Sequence, residues 1–260
     1  MADPPGDGPY IFSPDYYQRM RDLEGGSWWN AGMRDVAASL LREISLPDHG
    51  RLLDVGCGSG QTMTWFLARH PEWQVFGLDV APEGLAAAMA QGPVNVLRAS
   101  ALDLPVADAS VDLVITLDVL QHLPLGGGDE RALGEIVRVL KPGGHVFIRT
   151  NGQSFPRAAD DPTYQFHKYE TPELRAKLIA AGLHVVRLGR LNALLGLAEI
   201  PRELRAQSAE HSYHGLLSEP RAEAAWSRWL KRAWLRTEGR LVRRGASLPL
   251  GRTIVALCRR

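Results

Sequence analysis

Residues 51–60 read Arg-Leu-Leu-Asp-Val-Gly-Cys-Gly-Ser-Gly, and no other stretch narrows the possible folds as far. Leu52, Leu53 and Val55 form a short apolar run suited to a strand buried on both faces. Gly56, Gly58 and Gly60 then alternate with small residues, and Met63, Phe66 and Leu67 follow at helical spacing. Strand, glycine turn and helix in that order open a nucleotide-binding βαβ unit. Glycine is needed there because a ligand must approach the backbone without meeting a Cβ, and the helix start offers free N–H groups. Residues 74–79 read as a second strand ending on Asp79, placed to accept hydrogen bonds from both hydroxyls of a ribose.

The loop spacing is Gly-x-Gly-x-Gly, not the Gly-x-Gly-x-x-Gly of dinucleotide binders. Asp54 stands two residues before the first glycine, where a carboxylate suits a cationic or zwitterionic ligand better than a pyrophosphate. The run Asp54-Val55-Gly56-Cys57-Gly58-Ser59-Gly60 resembles the loop of the class I S-adenosylmethionine-dependent methyltransferases, Asp-x-Gly-x-Gly-x-Gly. The resemblance continues through Gly77-Leu78-Asp79, Asp103-Leu104-Pro105, Val111-Asp112-Leu113-Val114 and Val139-Leu140-Lys141-Pro142-Gly143-Gly144. It covers roughly residues 45–190 and resumes at the last strand.

Strand–helix alternation gives strands at 51–55, 74–79, 95–99, 111–118, 145–150, 184–188 and 253–258. Helices fall at 61–69, 82–91, 130–140 and 171–182, with Thr171 as a cap and Pro142-Gly143-Gly144 as a stop. The fold class is therefore α/β, a doubly wound, mostly parallel seven-stranded sheet with helices on both faces. The resemblance adds an antiparallel last strand beside the fifth and sixth. Residues 1–46 read as an N-terminal tail and helical element, and 47–260 as the methyltransferase domain with a helical insertion at about 191–250. Tyr17, Trp28 and Trp29 either pack the N-terminal helices on the core or, as in similar methyltransferases, help cover the ligand.

Composition excludes little. A net charge of +1 over 260 residues argues neither for nor against nucleic acid. Two cysteines, Cys57 and Cys258, give no disulfide framework and suit a reducing cytoplasm. The opening residues 1–9 are Pro/Gly-rich with no apolar signal core, and no stretch is long and apolar enough to span a bilayer. A cytoplasmic enzyme with no nucleic-acid partner, no stable membrane insertion and no metal is expected; a homodimer stays open. The insertion carries Trp226, Trp229, Leu230, Trp234 and Leu241 among basic residues. We read it as a cap whose tryptophans face the core. A membrane-surface helix is the second reading and a nucleic-acid surface the third.

The resemblance implies S-adenosylmethionine as cofactor. It places Asp54, Gly56, Cys57, Gly58 and Gly60 on the aminocarboxypropyl end of the donor, Asp79 and Val80 on its ribose, and Asp103 and Leu104 near its adenine. Asp118 ends the fourth strand, on the edge where ligands of such sheets bind, and is also a candidate contact to the donor. His122, four residues on, is the candidate general base, since an unperturbed imidazole titrates near operating pH. Asn151, Phe166, His167 and Tyr169 in the long connection after the fifth strand are candidates to contact the acceptor. The expected function is methyl transfer to an oxygen, nitrogen or carbon of a small molecule in biosynthesis or secondary metabolism. Three alternatives stay open: a lipid-linked or membrane-bound acceptor, a nicotinamide-dependent oxidoreductase, and a donor-binding regulatory module without catalysis. The oxidoreductase reading is disfavoured by the loop spacing. Asp118-Val119-Leu120-Gln121 departs from the Asn/Asp-Pro-Pro-Tyr of DNA-amino methyltransferases.

Overall fold

The computed structural model describes residues 27–92, 94–153, 167–193, 224–249 and 251–260. Tyr17 and Phe166 lie outside them. Seven strands pair in the order β3-β2-β1-β4-β5-β7-β6. They are β1 (Arg51–Val55), β2 (Gln74–Asp79), β3 (Asn95–Arg98), β4 (Val111–Leu117), β5 (Leu140–Asn151), β6 (His184–Leu191) and β7 (Thr253–Arg259). The β1–β2, β1–β4, β2–β3 and β4–β5 pairs are parallel, while β7 runs antiparallel to both β5 and β6. The order reverses between β1 and β4, which opens the crevice where ligands of such sheets bind.

Neighbouring residues of each strand point to opposite faces, so the sheet has two cores. On one, Leu53, Val55, Val114, Val146, Ile148, Ile254 and Ala256 pack with helices α4 (Gly128–Val139) and α5 (Thr171–Ala180). On the other, Leu52, Leu113, Ile115, Phe147, Val255 and Leu257 pack with α1 (Trp28–Leu41), α2 (Gln61–Leu67) and α6 (Ala225–Arg243). Helix α3 (Pro82–Ala90) adds Leu85 to this second core.

Three local expectations change. Pro142-Gly143-Gly144 does not separate helix from strand. Helix α4 ends at Val139 and β5 begins at Leu140, paired with Val111; a register shift between Val111 and Leu113 absorbs the extra residues. Gly143, at φ +80°, supplies the kink. Helix α5 is capped by Glu170, not Thr171. Glu173 reaches back to the Glu170 N–H at 3.2 Å, and the Thr171 hydroxyl accepts from Arg190 Nε at 2.8 Å.

The third change concerns α6. Its buried residues are Leu235, Glu238, Gly239 and Val242, while Trp226, Trp229 and Trp234 are exposed by 68%, 65% and 45%. The tryptophans do not face the core, because the helix docks through its narrow side. A Cβ on Gly239 would lie 2.9 Å from Val36, and one on Gly32 would lie 2.7 Å from Leu235. The two glycines let α1 and α6 approach closely, and Arg232 and Arg236 bind Asp35 at 2.7 and 2.8 Å beside that seam. Tryptophan on that face would hold the helices apart.

Candidate functional site

The three loop glycines all adopt positive φ, +77° at Gly56, +49° at Gly58 and +77° at Gly60, a region that costs any other residue. Their surroundings differ. A Cβ at Gly56 would strike Val119 at 2.2 Å and one at Gly60 would strike Ala88 at 2.9 Å. A Cβ at Gly58 would meet nothing within 4 Å, so the loop is packed at its two ends and open at its middle. Cys57 is buried; its thiol is pushed up by burial and by the carboxylates of Asp54 and Asp79, so it is an inert packing group.

Asp79 is buried at the end of β2 and fastens this loop. One carboxylate oxygen accepts from the Gly58 N–H at 2.8 Å, the other from the Ala81 N–H at 2.9 Å. Val80, next to it, is 46% exposed on the rim. Asp54, on β1, is 1% exposed, and its Oδ2 has no hydrogen-bond partner among the described residues. Burial pushes its pKa up to about 8, the Asp79 carboxylate pushes in the same direction, and Arg149 offsets part of this. A buried carboxyl beside an open backbone cradle can take up a positive charge by releasing its proton. Asp103 sits exposed on the turn after β3, its carboxylate unbonded among the described residues; Leu104 beside it is buried, its N–H held by Glu135 at 2.8 Å.

The β4–β5 end is built differently. Asp118 holds φ +60°, unusual for a residue other than glycine. Arg149 of β5 forks its carboxylate with Nε at 3.1 Å to both oxygens and Nη2 at 2.5 Å to one. Sequence reasoning missed Arg149, though a lone arginine in an apolar strand was a usable signal. It also missed Gln121, a buried amide whose Oε1 accepts from the Asn151 N–H at 2.8 Å and the Thr150 hydroxyl at 3.3 Å. Met33, Arg34, Thr62, Trp65, Leu117 and Arg149 line a small cleft between α1, α2 and these strand ends, with Arg34 Nη1 donating to Gln61 Oε1 at 3.1 Å.

His122 closes a 3₁₀ turn, Leu120–His122, beyond β4. Burial pulls its pKa down to about 4, against a smaller opposing effect of Asp118. The imidazole is therefore neutral at physiological pH and a weaker base than its residue type suggests. His167 lies nearby through its N–H to Gln121 O at 2.8 Å, and its Nε2 is 2.8 Å from Glu173. Asn151 ends β5. Tyr169 must be corrected: at 1% exposure it is a core residue rather than a pocket wall. Its hydroxyl donates to Asp129 at 2.9 Å, within reach of Leu120 O at 3.2 Å. Trp28 and Trp29, half-buried at the start of α1, meet edge to face at 6.0 Å, with Lys231 Nζ 5.3 Å from the Trp28 ring centre.

Comparison with known proteins places this geometry. Residues 53–148 match the family model described as a methyltransferase domain. A probable S-adenosylmethionine-dependent methyltransferase of Mycobacterium tuberculosis is 34% identical over 196 residues, spanning 73% of this chain and 65% of that protein. The chain thus spans about two-thirds of the length of that relative. The O-methyltransferase rstn1 of Aspergillus nomiae is 30% identical over 164 residues, 57% of this chain and 70% of that one. Among solved structures, phosphoethanolamine N-methyltransferase 2 of Haemonchus contortus, in complex with S-adenosyl-L-methionine, superposes with a TM-score of 0.64 at 16% identity. That match covers 96% of this chain and 58% of the other, and is a likeness of fold.

Proposed function

The chain belongs to the class I S-adenosylmethionine-dependent methyltransferases, and on that premise we propose that it moves a methyl group from S-adenosylmethionine to an oxygen, nitrogen or carbon nucleophile of a small-molecule acceptor. The observation that carries this reading is the pairing of two features in one loop: the open cradle at Gly58 and the buried, unpartnered oxygen of Asp54. A pyrophosphate would hold that carboxyl in its protonated form and gain no charge pairing from it, whereas a ligand bearing sulfonium and ammonium charges would stabilise its ionised form.

When bound, the donor supplies a methyl group already activated by its positive sulfur. The chain's own contribution is placement and exclusion of water, which in favourable cases lowers a barrier by ~7–11 kcal/mol. In this reading the backbone of Gly56, Cys57, Gly58 and Gly60 holds the aminocarboxypropyl end, with Asp54 answering its charge. Each Asp79 oxygen already accepts one N–H and keeps a second lone pair for a ribose hydroxyl, with Val80 beside it. Asp103 and Leu104 border the adenine. Asp118, fixed by Arg149, marks the boundary between donor and acceptor. Trp28, Trp29, Asn151 and His167 face the acceptor, and His122 offers it a neutral nitrogen. Residues 1–46 form a cover, and 47–260 the catalytic domain with its insertion at about 191–250.

The test is transfer of label from methyl-labelled S-adenosylmethionine into fractionated small molecules of a cell extract. Label in a small-molecule fraction is expected. Label recovered only in RNA or protein, or none despite donor binding, contradicts the proposal.

A further inference from the structure

Five large apolar side chains stand exposed on α6: Trp226, Trp229, Leu230, Trp234 and Leu241. At about 100° per residue they cluster on one side, opposite the Leu235–Val242 side that packs on the core. The helix therefore has two apolar faces, one used internally and one turned outward. A contiguous outward face of this kind marks an interaction surface.

The charge around it is one-sided. The helix carries Arg228, Lys231, Arg232, Arg236, Arg240 and Arg243 against a single acid, Glu238, in a chain whose net charge is only +1. Glu238 does not offset them at the surface. It is 1% exposed and accepts from the N–H groups of Asn192 and Ala193 and from Trp234 Nε1. Arg232 and Arg236 are held by Asp35, but the side chains of Arg228, Arg240 and the following Arg244 make no hydrogen bond or ion pair among the described residues. At the same 100° per residue Arg240 and Arg244 border the outward face, and tryptophan and leucine flanked by unpaired arginine, on a helix too basic to cross a bilayer, suit the headgroup boundary of a membrane.

We propose that the outer face of α6 docks the protein on anionic lipid bilayers. The fold gives the contact a direction. Trp28 lies beside Lys231, Gly32 beside Leu235 and Val36 beside Gly239, so α6 runs parallel to α1. Glu238 stands level with Asn192, just past the end of β6. Trp226 is twelve residues earlier, about 18 Å further along the axis. The Trp226–Trp234 half thus overhangs the carboxyl edge of the sheet, on the side of Asp54, Asp118 and His122. If the proposed methyl transfer holds, docking would set that edge against the bilayer and favour an amphipathic or lipid-linked acceptor. The docking itself does not depend on that reading.

The test is co-sedimentation of the full chain, without donor, with vesicles of phosphatidylcholine alone and of phosphatidylcholine mixed with phosphatidylglycerol. Binding to the mixed vesicles, weakened by raising salt and accompanied by a blue shift of tryptophan emission, is expected. Trp226→Ser with Trp229→Ser should remove it. Arg240→Gln with Arg244→Gln should weaken it about 25-fold, on the anionic vesicles only. All four side chains are exposed, so the variants keep the fold. Absence of binding to either vesicle, binding unaffected by these changes, RNA bound in preference to vesicles, or a dimer that buries the tryptophans in free solution would each overturn the proposal.

Discussion

Near the ends of β1 and β2 a buried carboxyl keeps one oxygen unbonded among the described residues; at the ends of β4 and β5 most polar groups answer one another, the buried Thr116 hydroxyl being an exception. Asp54 has an unbonded oxygen and a pKa pushed up to about 8. Asp118 is forked by Arg149, Gln121 ties Asn151 and Thr150 together, and Asp129 takes the Tyr169 hydroxyl and Lys177 at 3.2 Å. A group left unsatisfied inside a protein is a cost that some other interaction must offset. On the β4–β5 side the chain settles most of that cost internally, Thr116 Oγ1 excepted, and gains rigidity. On the β1–β2 side it stays open, as it would where a charged ligand completes the site. In the proposed function the open half takes the donor and the closed half frames the reaction.

The sharpest way to break this contrast is through the glycines. Gly56→Ala adds a Cβ into Val119 at positive φ. It should cost about 2–5 kcal/mol of stability, from left-handed strain and overpacking together. Gly58→Ala meets open space and should cost only the ~1–2 kcal/mol of strain, while losing ligand affinity. Denaturant melts and ligand titrations of both variants decide it. Equal stability losses would mean that the middle of the loop is not open.

His122 tests the other half. A general base poised near neutrality would lose ~10²–10⁴-fold on removal. With its pKa pulled down to about 4, His122→Ala should lose less than ~10²-fold, and the wild-type rate should have no limb near pH 6.5. The same shift bears on stability. A depressed histidine contributes stability that is present above its ordinary pKa of 6.5 and lost as pH falls through about 4. The wild type should therefore weaken more than His122→Ala between those values. A rate limb near 6.5 abolished by the substitution would restore His122 as the base.

The smallest effect is expected at Asp103. Its carboxylate is exposed and unbonded, so Asp103→Ala should leave stability within about 0.5 kcal/mol and weaken the donor by ~0.5–1.5 kcal/mol. A large loss of stability would move it from the rim into the framework.

These contrasts were unequally legible in the amino-acid sequence. β1 and β2 were readable to the residue, because short apolar runs bounded by a glycine loop and an acid leave little choice of register. The antiparallel seventh strand came from resemblance, since periodicity carries no strand direction. Pro142-Gly143-Gly144 misled because a bulge and a stop use the same residues. The facing of α6 was hidden for a related reason. Its buried side contains a glycine and a glutamate, its exposed side three tryptophans, and hydrophobicity alone points the wrong way. The loop residues were visible as a motif, but the unpaired state of Asp54, the Arg149 fork and the burial of His122 and Tyr169 depend on contacts between distant segments.

The proposed donor site depends on Asp54 as a protonated group that ionises when a positively charged ligand arrives. Calorimetry of S-adenosylmethionine binding at pH 7, in buffers of different ionisation enthalpy, measures this directly. Micromolar binding with release of close to one proton is expected from the wild type, with no release from Asp54→Asn and no binding of NAD. Binding without proton release, or release unchanged in Asp54→Asn, would contradict it.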